Sequence, residues 1–137
     1  MFKWSYMYIP IILLAALTLE ILFAQQAEAK DLCLGTFSNF RFNNEGGDIQ
    51  GVEVKVVYTR LGNQAAVQFS EGEPGPLALA PVKCDGTRVS LKIPKADGRA
   101  AVTFEGVVSK DRLVGELVYE TGGREKLSLP RRKGYWD

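Results

Sequence analysis

Side chains able to do chemistry are sparse in this chain, and one type is missing. Its 137 residues include no histidine. That removes the commonest general base, the Ser-His and Cys-His nucleophile pairs and every imidazole metal site. Acid–base work would fall to carboxylates, the best grouped being Glu105 on one alternating segment with Glu116 and Glu120 on the next. Two carboxyl groups about 5–10 Å apart across a cleft could cleave a glycosidic bond. Opposite Lys and Arg on a sheet face, the same residues would be solvated cross-strand pairs. Oxygen ligands cluster in Asn43-Asn44-Glu45-Gly46-Gly47-Asp48, a composition that calcium accepts. The run lacks the regular spacing of a calcium loop and equally reads as ordinary turn chemistry. These groups nominate no catalytic residue, metal or cofactor, and the chain reads as a binder, not an enzyme.

Two cysteines, Cys33 and Cys84, remain. They do not form a Cys-x-x-Cys redox motif, so one structural disulfide is the expectation for an exported chain. Closing a loop of about 52 residues would stabilise by about 4 kcal/mol in the chain-entropy picture.

Export is read from residues 1–29. An apolar run over 9–19 and the segment Ile21-Leu22-Phe23-Ala24 precede Ala27-Glu28-Ala29, a small-x-small site that places cleavage before Lys30. As a membrane anchor the stretch is short of the roughly 20 apolar residues a span needs, and it carries Glu20. The expectation is therefore a periplasmic or secreted domain over 30–137 with no stable membrane span after cleavage. Cleavage takes away Lys3, Glu20 and Glu28 from the chain's 17 basic and 16 acidic groups. So balanced a charge excludes a domain that mainly neutralises nucleic-acid phosphates.

The elements that must position any site are strands. No sustained i, i+3, i+4, i+7 apolar pattern follows residue 29, whereas period-two alternation recurs. Val52, Val54, Val56 and Tyr58 share one strand face, and Ala65, Val67 and Phe69 begin the next arm. The segment 71–76, with Gly72, Pro74, Gly75 and Pro76, is expected to end that arm, and Pro81 marks 77–84 as an edge or a bend. Asp85-Gly86 signals a hairpin before Val89, Leu91 and Ile93. Val102, Phe104, Gly106 and Val108 alternate, then Leu113, Gly115, Leu117 and Tyr119, then Leu127 and Leu129 up to Pro130. With 32–42 these make about eight antiparallel, meandering strands. The predicted fold is all-β, a small up-and-down barrel or a strongly curved sheet. Gly106 and Gly115 fall at inward positions of neighbouring strands, either for close packing or to hollow the interior for a ligand.

Gly35-Thr36-Phe37-Ser38-Asn39-Phe40-Arg41-Phe42, followed by Gly51-Val52-Glu53-Val54, resembles the opening of small, exported, uncharacterised bacterial β proteins. A Gly-x-x-Ser-x-x-x-Leu-x-Gly hairpin, here Gly106, Ser109, Leu113 and Gly115, and the basic-aromatic ending Arg131-Arg132-Lys133-Gly134-Tyr135-Trp136 are similar too. The resemblance covers most of the chain after residue 29, implies fold and export, and carries over no catalytic residue. Lipocalin- and avidin-type barrels are similar in architecture alone.

The leading functional expectation is a binding module whose apolar interior takes a small hydrophobic ligand, with Val54, Val56, Phe69, Leu91, Phe104, Leu117 and Tyr119 as its lining. The alternative is an envelope interaction or inhibitor module that presents a sheet face to a protein partner or a second copy. Val57, Val107, Val114 and Val118 on the faces opposite the core would supply that surface if contiguous. Phe37, Phe40 and Phe42 with Arg41 form either a rim for a ligand or a plug for one end of the sheet. The tail from Arg131 to Asp137 reads as a frayed, solvated end, or a contact to an anionic surface.

Overall fold

The computed structural model describes residues 32–96 and 98–133. The export segment 1–29 expected from the sequence lies outside them, as does the tail 134–137. Nine strands follow one another: β1 (Gly35–Ser38), β2 (Arg41–Phe42), β3 (Ile49–Thr59), β4 (Gly62–Gly72) and β5 (Pro74–Asp85) come first. After them come β6 (Arg88–Ile93), β7 (Val102–Val108), β8 (Arg112–Tyr119) and β9 (Arg124–Arg132). From β3 to β9 each strand pairs antiparallel with the next. Strand β1 pairs with both β9 and β3, which closes eight strands into a barrel and leaves β2 as an extra strand on β3. Closure explains why alternation was so legible: an eight-stranded barrel leaves one face for core and one for solvent.

Inward positions carry the core. The row Val82, Leu91, Phe104, Leu117 crosses four strands in direct register. On the other side Phe37, Val54, Val67 and Ala78 form a matching row. All eight are buried and belong to one contiguous cluster. Gly106 and Gly115 are direct partners, and the end of the Phe104 ring lies over both. The glycine pair thus serves close packing, and the space a Cβ would take is filled by the ring.

Several local expectations are corrected. The first strand is not continuous over 32–42: Asn39 and Phe40 interrupt it, and Asn39 both donates its N–H to Val52 O (3.1 Å) and accepts Val52 N–H on Oδ1 (2.7 Å). Gly51 faces that bulge at φ +127°, a left-handed conformation open to glycine. Residues 71–76 are not a broad break, since β4 runs to Gly72 and β5 resumes at Pro74. A register shift between Gln68 and Ser70 absorbs the reversal, and the buried Ser70 hydroxyl lies 2.6 Å from Ile49 O and 2.9 Å from Glu73 O. Pro130 does not end β9, where it is paired with Arg112. Tyr58 shares parity with the core but projects past the barrel end, 65% exposed.

Strand β5 explains Pro81. It pairs with β4 over 74–81 and with β6 over Val82–Asp85. Among the described residues, its upper half therefore has a strand on one side only. The missing N–H of Pro81 falls where the strand changes partners, a bend that costs no ladder bond on the β6 side.

The two barrel ends differ. At the lower end, where β3 turns into β4 and β5 into β6, Cys33 is buried and joined to Cys84 by a disulfide with Cα atoms 6.5 Å apart. Such a bond is compatible with an oxidising, extracytoplasmic compartment. Arg131, expected in a frayed tail, instead closes this end. Its guanidinium donates to the main-chain carbonyls of Leu32, Leu34, Ser109 and Lys110 at 2.5–3.2 Å. It also stacks 4.5 Å above the ring of the buried Phe37. Arg132 is likewise tied down, Nε donating to Ser38 O at 3.1 Å. Phe37 is thus the plug among the aromatic cluster, while Phe42 is 63% exposed.

Candidate site at the barrel mouth

At the upper end the core stops short of the rim and leaves a recess of about 340 Å³. Its floor is apolar, made by Val52, Phe69 and Leu127 from β3, β4 and β9. One wall is polar, with Asn39, Gly51 and Ser70. Around the rim stand Glu71, Arg99, Tyr119 and Glu125.

Each rim group has a local reason to be there. Tyr119 is the last residue of β8, at the same parity as Leu117 and Leu113, so the inward row ends on a phenol. The turn after it is closed by Tyr119 N–H donating to Gly123 O and Gly122 N–H donating to Tyr119 O, both 2.9 Å. Glu125 opens the inward row of β9, and its Oε2 accepts the Tyr119 hydroxyl at 2.8 Å. Burial holds the Tyr119 phenol above its ordinary range. The hydrogen bond to Glu125 and that carboxylate's charge add to the rise, Arg99 opposes it, and Glu71 contributes in the same sense as Glu125.

Arg99 comes from the connection between β6 and β7. A small turn places it, with Arg99 N–H donating to Ala96 O at 2.8 Å and Ala96 N–H to Arg99 O at 3.3 Å. Its guanidinium lies 3.8 Å above the Phe69 ring and 3.7 Å from Glu71 Oε1. Behind this stacked pair is a second recess of about 50 Å³, between Pro76 and Ala78 of β5 and the start of the same connection. Phe69 and Arg99 line both recesses and form the partition between them.

Of the residues nominated from sequence, Phe69 and Tyr119 meet at this mouth. Val54, Val56, Leu91, Phe104 and Leu117 are buried in the packed core below it. Arg99, Glu71 and Glu125 were not nominated. Glu125 had a usable signal, since it shares parity with Leu127 and Leu129. Arg99 had none, because a turn residue gives no periodicity from which its direction can be read.

The other candidate chemistry resolves as surface structure. Glu105 and Glu116 are direct partners on the outer face of β7 and β8, and Glu116 is relieved by Arg124 at 2.9 Å. Loop 43–48 is organised by Asn43, whose Oδ1 accepts Glu45 N–H at 3.1 Å and whose main-chain oxygen accepts Gly47 N–H at 2.8 Å. Among the described residues, no group of three or more Cys, Asp or Glu is placed to hold a metal ion. The outward valines do not make one surface. Val107 and Val114 are direct partners, but Val57 on β3 is separated from β8 by β1 and β9. A different apolar pair stands out on β5, Leu77 at 60% and Leu79 at 66% exposure.

The fold and site together define a small closed β-barrel with a buried apolar core, a pinned lower end and an amphipathic recess at its mouth. Comparison with protein-family models, with curated proteins and with solved structures finds no match that would add to this description.

Proposed function

We propose that this chain is an exported, non-catalytic β-barrel binding protein that holds a small, partly hydrophobic ligand in the recess at its mouth. The observation that carries the reading is the 340 Å³ recess itself, in which Phe69 and Tyr119 meet over an apolar floor. That volume is of the order of known small-molecule sites, and the mixture of apolar floor and few convergent polar groups is typical of them. The ligand sits against Val52, Phe69 and Leu127, while the buried residues nominated from sequence support the floor without touching it. Its working compartment is the periplasm or the medium, consistent with the Cys33–Cys84 disulfide. Catalysis is disfavoured by exposure. A carboxylate pair doing acid–base work needs one member desolvated, whereas the side chain of Glu71 is 87% exposed and Glu125 is also exposed.

A second reading rests on β5. Leu77 and Leu79 are exposed beside the half of β5 that has a strand on one side only. An envelope partner or a second copy could add a strand there, although Pro74, Pro76 and Pro81 blunt the edge. Native mass spectrometry of the protein purified from its exported fraction separates the readings. A monomer carrying a discrete small adduct, lost in the Phe69→Ala variant, supports the mouth site. An adduct-free homodimer that Leu79→Lys converts to monomer overturns it in favour of β5.

A further inference from the structure

Resting on the mouth as the binding site, we infer that its ligand class is a small organic cation, an ammonium group on an apolar or aromatic body. The charges around the recess do not cancel. Two carboxylates, Glu71 and Glu125, face it with one guanidinium, Arg99. Arg99 is accounted for by Glu71 at 3.7 Å and by the Phe69 ring at 3.8 Å. Glu125 has a neutral partner, the Tyr119 hydroxyl at 2.8 Å. The basic residues flanking it in sequence are turned away by strand alternation. Arg124 reaches Glu116 on the outer face, and Lys126 lies opposite Glu116 in register. Among the described residues, one carboxylate of the recess, Glu125, therefore has no ion-pair partner.

The geometry suits a cation for a second reason. Tyr119 brings an aromatic group beside Glu125, and an aromatic ring attracts an ammonium group as well as an apolar body, whereas Phe69 already carries the Arg99 guanidinium and contributes apolar surface. Val52 and Leu127 supply the apolar floor on which the rest of the ligand lies. A carboxylate ligand would have to compete with Glu71 for Arg99 while approaching Glu125. A neutral ligand would leave the Glu125 charge where it is. An ammonium group placed beside Glu125 meets a carboxylate unpaired among the described residues, while Arg99, the cation in the same recess, is held at Glu71 and the Phe69 ring.

The test uses three matched probes on the isotope-labelled protein with its disulfide intact: 3-phenylpropylamine, 3-phenylpropan-1-ol and 3-phenylpropionate. Amide shifts locate each probe and titration gives its affinity. The expected result is perturbation of the amides of Phe69, Arg99, Tyr119 and Glu125 by the amine, which binds about tenfold tighter than the alcohol at low salt. Glu125→Gln is expected to bring the amine-to-alcohol affinity ratio from about tenfold down toward one, and a ratio that stays near tenfold overturns the inference. Glu71→Gln serves as a second variant should Glu125→Gln fold poorly: it leaves Arg99 without its carboxylate, so the amine's advantage over the alcohol should fall, and an advantage that is unchanged or larger overturns the inference. Equal or tighter binding of the alcohol or the propionate at the same amides overturns the cation inference while the mouth site stands. If no probe perturbs those amides, the mouth reading fails along with it.

Discussion

Replacing Gly115 by alanine sets two well-known tendencies against each other on the β7–β8 pair. On propensity alone, alanine in a strand is favoured over glycine, because glycine loses more backbone freedom on folding, and the gain is about 0.4–1 kcal/mol. The packing says otherwise. A Cβ on Gly115 would collide with the Glu105 main-chain oxygen and lie 2.6 Å from Phe104 Cζ and 2.7 Å from Gly106 Cα, where ordinary contact is 3.4–4 Å. Phe104 is 2% exposed and wedged in the central cluster, so its ring cannot swing clear without displacing neighbours. Overpacking of that kind costs about 1–3 kcal/mol. The Gly106 contact is with backbone, so the strands must also part, weakening a flanking ladder bond of about 1 kcal/mol. The net expectation is destabilisation by about 2 kcal/mol, or roughly 10 °C in Tm for a domain of this size. Urea unfolding followed by far-ultraviolet circular dichroism, with the disulfide intact, measures it. Gly123→Ala is the control, since its nearest contact would be an ordinary 3.6 Å to Tyr119 Cδ2, and it should stay within about 0.5 kcal/mol. Adding Phe104→Leu to Gly115→Ala should recover part of the loss and not all of it, because the backbone contact remains. A Gly115→Ala variant as stable as wild type would refute the close-packing account of the glycine pair.

Arg131→Ala strips four carbonyls at the lower end of their shared donor and is expected to cost about 3 kcal/mol, with Arg131→Lys recovering less than half because a lysine cannot span the same fork; denaturant midpoints check both. Reducing the disulfide, or the double variant Cys33→Ser/Cys84→Ser, releases a 51-residue separation and should lower stability by about 4 kcal/mol without changing the folded circular-dichroism spectrum. Tyr119 supplies the pH prediction: its folded-state ionisation lies above its unfolded value, so the stability it lends is whole below about pH 10 and declines as pH rises through the folded value. An absorbance titration at the phenolate band should therefore lose a phenol that ionises above the ordinary range in Tyr119→Phe, and Glu125→Gln should bring that phenol back toward its ordinary range. A phenolate titration unchanged by either substitution would remove Tyr119–Glu125 as the cause.

The all-β architecture was legible in the chain because closure makes each of the eight barrel strands half-buried, and half-burial writes itself as period two: Val52, Val54 and Val56, or Leu113, Gly115 and Leu117, could face one way only. Two cysteines had one pairing available, and they make it. The boundaries were harder, because punctuation residues do not end a strand that is held otherwise. Ser70 and a register shift carry the chain through the Gly72–Pro74 reversal, and Arg131 holds the end of β9 past Pro130.

The site was only partly readable. Parity alone put Phe69 and Tyr119 on the inner face, but parity does not say how deep along the barrel axis a side chain lies. Depth depends on register between strands, and register separates Leu117 and Leu91 in the core from Tyr119 at the mouth. The charges at the mouth belong to tertiary structure altogether. Arg99 arrives from a turn between β6 and β7 and Glu71 from the end of β4, so they meet only because that connection packs back over the upper ends of β4 and β5. The chain alone determined which residues could face inward; the closed barrel decided which of them form a floor, a plug or a recess, because those roles depend on contacts between strands far apart in sequence.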